Sequence, residues 1–197
     1  MTINRQRFGV NRMTISGGES TLNRPWLTQY LKELKRFNLD KHARLHVDTN
    51  GSILTNDYID ELAEAGMTDV GIDLKALDTA SFMRITGLKN RDLAEKYKET
   101  AWEAVKYVHQ SHKEVFLGIG IPYNRHLISI EEIREMGERI LSIDPAIQVG
   151  VLDYHAEFRR RDILRPEYGE MEQVYTTLKR VGLKTVLCQT AYGYIGP

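Results

Sequence analysis

Residues 13–23 read Met-Thr-Ile-Ser-Gly-Gly-Glu-Ser-Thr-Leu-Asn, and their order of apolar run, two glycines and an acid indicates how the chain folds. A short apolar run ends at Ser16, and two glycines and the carboxylate of Glu19 follow it. Glycine has no Cβ, so it permits positive φ and lets a ligand approach the backbone closely. This order predicts a strand that carries an acid at its C-terminal end. An isolated Gly-Gly-Glu is also typical of an ordinary tight turn, so both interpretations stay open here.

The rest of the chain continues this strand-then-helix pattern. Apolar residues recur at helical spacing in some segments and form short β-branched runs in others. Predicted strands cover 13–15, 44–47, 69–74, 115–121, 147–152 and 185–187, and predicted helices cover 23–38, 55–66, 92–109, 129–141 and 167–181. Alternation with short connections predicts right-handed βαβ units around a parallel sheet, which is an α/β fold.

Three local features refine this prediction. Ser129 followed by Glu132 predicts a capping box at a helix start. The fourth strand is almost wholly apolar, so we expect it to be buried on both faces and to end at Pro122. The segment 78–90 has no strong pattern and is predicted as a variable connection.

Ionisable residues gather where the predicted strands end. Parallel α/β folds place their sites outside the carboxyl ends of the strands. Each of these residues follows or ends a predicted strand: Glu19, Asp48, Asp73, Lys75 and His155. Their common position predicts a polar site at one edge of the sheet.

Length and composition exclude several classes of protein. The chain has 197 residues, which predicts a single domain over 1–197, and 27 basic residues balance 27 acidic ones. This balance argues against nucleic acid or an anionic membrane as a partner. No apolar run is long enough for a bilayer span or a signal peptide, so we expect a cytoplasmic protein. A single cysteine, Cys188, excludes an intramolecular disulfide and any site built from several thiolates of this chain.

Structural interpretations compete with the functional ones. Asp48 and Asn50 could simply form a turn, because Asp and Asn favour turns through local hydrogen bonds. Asp73 and Lys75 could be a surface ion pair, and His155 an ordinary satisfied histidine. The basic run 159–161 is expected to be a solvated face, and Cys188 a packing thiol.

Five motifs in one order resemble the radical S-adenosylmethionine (radical SAM) superfamily, particularly the branch with pyruvate formate-lyase activating enzymes. They are Ser16-Gly17-Gly18-Glu19, Val47-Asp48-Thr49-Asn50-Gly51, Asp73-Leu74-Lys75, Gly118-Ile119-Gly120-Ile121-Pro122 and Asp153-Tyr154-His155. The resemblance implies an incomplete TIM-like β/α barrel with a parallel sheet of about six strands. It also implies that S-adenosylmethionine lies across the strand tips.

The resemblance assigns roles to nine residues, all in cofactor binding and none in catalysis or metal ligation. Gly17, Gly18 and Glu19 match the motif that binds the cofactor's ammonium. Lys75 and His155 match positions that bind its carboxylate. In the same comparison Asp73 suits the ribose diol, Asp48 and Asn50 belong to the surrounding polar shell, and Pro122 packs beneath adenine.

The family's defining CxxxCxxC element, which holds a 4Fe-4S cluster, is absent from this sequence. One distant cysteine cannot replace three thiolates. The resemblance therefore predicts an N-terminally truncated chain whose first β/α unit is missing and which alone is inactive; a degenerate paralogue is the alternative. Loss of that unit would expose the edge of the strand ending at Ile15, which predicts a homodimer through this edge.

For the complete protein, the resemblance implies reductive cleavage of S-adenosylmethionine to a 5′-deoxyadenosyl radical that abstracts hydrogen. The expected partners are a glycyl radical enzyme, which it would activate, and an electron donor such as flavodoxin or ferredoxin. A small molecule or a peptide is the alternative substrate. A non-catalytic barrel subunit is another alternative, and so is a barrel enzyme for phosphorylated metabolites, although no glycine-rich phosphate loop stands out.

Overall fold

The computed structural model describes residues 6, 7, 9, 11–155 and 161–197. Its strands are β1 (Arg12–Ile15), β2 (Arg44–Thr49), β3 (Asp69–Asp73), β4 (Phe116–Tyr123), β5 (Gln148–Asp153), β6 (Val186–Thr190) and β7 (Gly193–Ile195). Its helices are α1 (Arg24–Phe37), α2 (Asn56–Ala65), α3 (Thr79–Thr86), α4 (Arg91–Ser111), α5 (Ile130–Ile143) and α6 (Tyr168–Val181). Of the predicted basic run, residues 159 and 160 lie outside the described residues, and Arg161 is exposed.

The strands follow one another in the sheet in chain order, from β1 to β7. The recorded pairings β1–β2, β2–β3, β4–β5 and β5–β6 are parallel. Only the last recorded pairing, β6–β7, is antiparallel. The predicted α/β alternation around a parallel sheet is therefore confirmed.

The chain divides into two compact units. The first unit comprises residues 1–72 and 100–117, and the second comprises 73–99 and 118–197. In the first unit α1 packs against α2, and Val47, Val70 and Leu62 are fully buried. In the second unit α6 packs against both α5 and β6. A smaller cluster in the second unit gathers Ala76, Phe82 and Ala94.

Two predictions about the fourth strand are wrong. Pro122 does not end β4, because the strand continues to Tyr123 and Pro122 stands opposite Leu152 in the β4–β5 register. The fixed φ of proline suits an extended chain, so its missing N–H removes one hydrogen bond without breaking the strand. The strand is also not buried on both faces, because Gly118 and Gly120 are half-buried and Phe116 is 43% exposed.

The segment 78–90 contains a helix, α3, that the sequence did not predict. The Asp78 side chain caps its start by accepting hydrogen bonds from the Ala80 and Ser81 N–H groups. Gly87 ends the helix in the left-handed conformation, at φ +77°. The short helix thus depends on its two end residues.

Candidate functional site

The turn after β1 requires glycine for its backbone conformation. Gly17 and Gly18 have φ of +97° and +56°, which other residues rarely adopt. A Cβ built on either glycine would meet no other atom within 4 Å, so the space beside the turn is open. The two residues and Ser16 are exposed. The turn therefore offers an accessible stretch of backbone at the end of β1.

Glu19 ties this turn to the end of β2. Its Oε1 accepts hydrogen bonds from the hydroxyls of Thr21 and Thr49, both at 2.6 Å, and from the Thr21 N–H at 3.2 Å. Its Oε2 accepts one from the Asn50 N–H at 2.8 Å. Each carboxylate oxygen has two lone pairs. Among the described residues Oε2 has this one partner, so it keeps an acceptor position for a ligand.

Two further hydrogen bonds fix the underside of the turn. The Ser20 hydroxyl donates to the main-chain oxygen of Asp48 at 2.7 Å. The Tyr58 hydroxyl donates to the main-chain oxygen of Thr21 at 3.1 Å. Burial raises the pKa of Tyr58 to about 12, so its hydroxyl stays protonated as a donor.

We name the residues Gly17, Gly18 and Glu19, together with Thr49 and Asn50, the β1–β2 lip.

Asp48 and Asn50 have defined local partners. Asp48 Oδ1 lies 2.6 Å from His46 Nε2, and its side chain is 44% exposed. The Asn50 side-chain oxygen accepts a hydrogen bond from the Ser52 N–H at 2.9 Å, which is the turn that its sequence also allowed. Within the first unit, the structure thus brings together Gly17, Gly18, Glu19 and Asn50, with Asp48 attached through Ser20.

In the second unit, Asp73 and Lys75 form the ion pair that their spacing predicted. Lys75 Nζ lies 2.7 Å from Asp73 Oδ2, and both side chains remain partly exposed, at 23% and 41% respectively. The Asp73 carboxylate lies so close over Gly120 that a Cβ there would collide with Oδ1. The Leu74 N–H donates to the Gly120 main-chain oxygen at 2.8 Å. Glycine in β4 therefore makes room for the acid of β3.

Glu132 holds the loop that follows Lys75. This carboxylate is 7% exposed and accepts hydrogen bonds from the Leu77 and Asp78 N–H groups at 3.0 and 2.9 Å and from the Ser81 hydroxyl at 2.6 Å. The Ser129 hydroxyl does accept from the Glu132 N–H at 3.1 Å. The predicted capping box is thus only half formed, because the Glu132 side chain binds a segment more than 50 residues away.

His155 and Pro122 also lie in the second unit. His155 Nδ1 is 2.8 Å from the Asp153 main-chain oxygen, so Nδ1 carries the proton and donates, because a carbonyl only accepts. Its neighbour Asp153 is 2% exposed and pairs with Arg165 Nε at 2.6 Å. Pro122 is buried. Asp153 is therefore a buried, ion-paired carboxylate, whereas Tyr154 and His155 are both half-buried.

Sequence reasoning missed Thr21, Thr49 and Tyr58 as supports of the lip. Thr49 lies inside the motif Val47-Asp48-Thr49-Asn50-Gly51, and that motif is the sequence signal that could have indicated its role. Tyr58 carried no signal, because its hydrogen bond joins residues 37 positions apart.

The described residues do not fit an iron-sulfur cluster. Cys188, the one cysteine of the sequence, is fully buried in β6. Burial raises its pKa to about 12, which opposes the thiolate form that a cluster requires. Among the residues that the structure describes, no group of three His, Cys, Asp or Glu side chains could hold a metal ion. The described residues therefore contain no set of side chains suited to ligate such a cluster.

A family model of the radical SAM superfamily matches residues 1–136. The chain therefore belongs to the radical SAM superfamily, and the resemblance drawn from the motifs is confirmed.

Two curated relatives match in sequence over part of the chain. A probable GTP 3',8-cyclase of Thermoplasma volcanium is 35% identical over 98 residues, which is 50% of this chain and 28% of the relative. A probable GTP 3',8-cyclase of Methanococcus aeolicus is 33% identical over 98 residues, which is 50% of this chain and 32% of the relative. The match thus spans about a third or less of each relative's length.

Solved structures match over most of the chain. A domain of pyruvate-formate lyase-activating enzyme from Bacteroides vulgatus has a TM-score of 0.69 and 19% identity, with 90% of this chain and 98% of that chain covered. Streptococcus suis SuiB bound to S-adenosylmethionine has a TM-score of 0.65 and 16% identity, with 91% and 39% covered. These likenesses confirm the α/β fold of the partial-barrel kind. None of the helices in the described part of the chain has the length and apolar character of a membrane span.

Proposed function

We propose that this chain is the cofactor-binding core of a radical SAM enzyme and that the β1–β2 lip binds the methionyl end of S-adenosylmethionine. The observation that carries the proposal is the lip itself: an open diglycine turn beside a carboxylate whose Oε2 keeps an acceptor position. The support comes from these contacts together with membership of the superfamily.

The chemistry of the cofactor matches the lip. Its ammonium carries three donors and a positive charge, and a charge-assisted hydrogen bond to a carboxylate is about twice as strong as a neutral one. Glu19 offers that carboxylate, already held in place by Thr21, Thr49 and Asn50. Because the side chain is fixed before the ligand arrives, binding would lose little side-chain entropy.

The residues of the second unit keep their proposed roles as predictions from the sequence. Lys75 and His155 are proposed for the cofactor's carboxylate, Asp73 for the ribose diol and Pro122 for adenine. The Asp73–Lys75 pair supports the roles of these two residues, because it holds the ammonium of Lys75 in one place while both groups stay partly exposed.

For the substrate, we propose activation of a glycyl radical enzyme, with the radical removing hydrogen from a backbone glycine. The order and spacing of the five motifs support this proposal. The electron donor would then be a flavodoxin or ferredoxin. A second candidate is chemistry on a nucleotide, which the sequence identity to the two probable GTP 3',8-cyclases favours.

Saturation-transfer NMR with S-adenosylmethionine tests cofactor binding by this chain, because the method detects weak ligands. We expect transfer to the methionyl protons for the wild type and a loss of that transfer in Glu19→Ala. Glu64→Ala, an exposed glutamate of α2, is the matched control. Equal transfer in wild type and Glu19→Ala would contradict the proposal.

A GTP titration separates the two substrate candidates. Saturable binding of GTP that is unaffected by Glu19→Ala would favour nucleotide chemistry. Absence of GTP binding, together with retained binding of S-adenosylmethionine, would favour the activating enzyme.

A further inference from the structure

One face of β1, β2 and β3 carries a connected set of charged side chains. The strand register places Arg12 opposite Arg44, His46 opposite Asp69, and Asp48 opposite Gly71. Alternate residues of a strand lie on the same face. Four of these residues form a continuous series of contacts: Asp69 to Arg12 at 3.1 Å, Arg12 to His46 at 3.0 Å, and His46 to Asp48 at 2.6 Å.

The contacts of His46 determine which ring nitrogen carries the proton. Arg12 Nη2 approaches His46 Nδ1, and a guanidinium has no acceptor, so Nδ1 must accept this hydrogen bond. The proton of the neutral ring is then on Nε2, which donates to Asp48 Oδ1. A proton on Nδ1 would face the Arg12 cation. The two neighbours thus select one tautomer of His46.

The surroundings hold the Nε2–H donor of His46 in place and leave the Asp48 carboxylate accessible to a ligand. The His46 side chain is 12% exposed, whereas that of Asp48 is 44% exposed. Gly71 makes room for the pair, because a Cβ at this position would lie 2.6 Å from Asp48 Oδ1 and 3.2 Å from His46 Nε2. Oδ1 is therefore occupied by His46, and the exposed carboxylate keeps Oδ2 for another donor.

We infer that His46 is a positioning residue, which holds the Asp48 carboxylate through Nε2–H so that Oδ2 accepts a hydrogen bond from bound S-adenosylmethionine. The cofactor carries ammonium and ribose hydroxyl donors that suit such an acceptor. This inference rests on the proposed function. His46 does not itself contact the cofactor, because Arg12 and Asp48 occupy its two ring nitrogens.

A long-range ¹H–¹⁵N spectrum of the histidine rings at pH 8 tests the tautomer directly, with the His46 signal assigned by its loss in His46→Gln. The expected result is the Nε2–H tautomer for His46. The Nδ1–H tautomer would overturn the inference whatever the affinity for the cofactor.

Two substitutions test positioning by affinity. The amide nitrogen of glutamine reaches the place of Nε2, whereas that of asparagine reaches only as far as Nδ1. We expect His46→Gln to bind S-adenosylmethionine within about twofold of the wild type, and His46→Asn to bind about tenfold more weakly, as a lost charged hydrogen bond implies. His42→Asn, at an exposed histidine, is the matched control.

The possible results of these experiments distinguish the positioning role of His46 from cofactor binding by the chain. Wild-type affinity in a folded His46→Asn overturns the positioning role. Weakening in both His46 variants to the same degree also overturns it, because the restored donor would then make no difference. No binding by the wild type, with the Nε2–H tautomer present, overturns the proposed function and the cofactor's part in the inference, while the His46–Asp48 contact stands as a structural one.

Discussion

Glu19 has a structural role, and its proposed binding role uses the same side chain. Four hydrogen bonds converge on its carboxylate from Thr21, Thr49 and Asn50. The structure thus shows the tight turn that the sequence allowed, and the ligand-binding interpretation, which stays a prediction, would use the same arrangement. A carboxylate that closes the turn is also held still for a cation.

Glu19→Gln is predicted to lower the free energy of unfolding by about 1–3 kcal/mol, because an amide NH2 would face groups that now donate to an oxygen. Urea unfolding of the variant and the wild type measures the difference. Glu64→Gln, exposed on α2, should leave stability unchanged. A Glu19→Gln protein as stable as the wild type would show that the four hydrogen bonds contribute little.

We predict that the buried thiol of Cys188 makes the folded protein less stable at alkaline pH. Burial raises the thiol's pKa from 9.0 to about 12 in the folded protein. The unfolded chain therefore ionises first, so the stability is fully present below about pH 9 and is lost as the pH rises from there toward 12. Unfolding measured at pH 8 and pH 10.5 should show a larger loss for the wild type than for Cys188→Ala. Parallel losses in the two proteins would contradict the assignment.

At the scale of elements, the glycine after β2 is constrained by packing as well as by conformation. Gly51 has φ +70°, and a Cβ there would lie 2.9 Å from the Ala101 Cβ and 3.0 Å from the Ile72 Cγ2. Gly87, which ends α3, has φ +77° but open space around it. Gly51 is therefore required by both its backbone conformation and its packing, whereas Gly87 is required by its backbone conformation alone.

Gly51→Ala is predicted to destabilise the protein by about 2–5 kcal/mol, from left-handed strain and overpacking together. Gly87→Ala should cost about 1–2 kcal/mol, because strain acts alone there. Chemical denaturation of both variants measures the difference. Equal effects would mean that α4 shifts to accommodate the methyl group at Gly51.

The helices and strands were predictable where their pattern was local. The alternation of Leu45 and Val47 with polar residues gave β2, and Gly66 marked the end of α2. Helix α3 was missed because it is short, although Asp78 and Gly87 are local signals at its two ends. The contact of Glu132 with Leu77, which holds the segment before the helix, joins residues 55 positions apart. Local propensity carries no trace of such a contact.

Glu132→Ala is predicted to destabilise the second unit by about 2–5 kcal/mol, because it removes the acceptor of the part-buried Leu77 and Asp78 N–H groups and of the buried Ser81 hydroxyl. Hydrogen exchange at the Leu77 and Asp78 amides should become faster than in the wild type. Glu131→Ala, its exposed neighbour, is the control. Unchanged exchange at both amides would show that the Glu132 carboxylate does not hold the segment before α3.

At the scale of the whole molecule, chain order predicted which residues stand at the strand ends, but it did not predict their contacts. Glu19 follows β1 and Asp48 lies near the end of β2, as the sequence predicted. Their part in a binding site stays a prediction. The hydrogen bonds from Thr49 and Asn50 to Glu19 join residues about 30 positions apart, and no periodic pattern encodes them. The predicted single domain and the homodimer through the β1 edge stay predictions.

The central claim is that the β1–β2 lip binds S-adenosylmethionine. A ¹H–¹⁵N correlation titration of this chain with the cofactor tests it most directly, because the amides of Gly17, Gly18 and Glu19 report on the turn and the Asn50 amide donates to Glu19. We expect saturable shifts of these four amides in the wild type and no such shifts in Glu19→Ala. Saturable shifts confined to other residues, or no shifts at all in the folded chain, would contradict it.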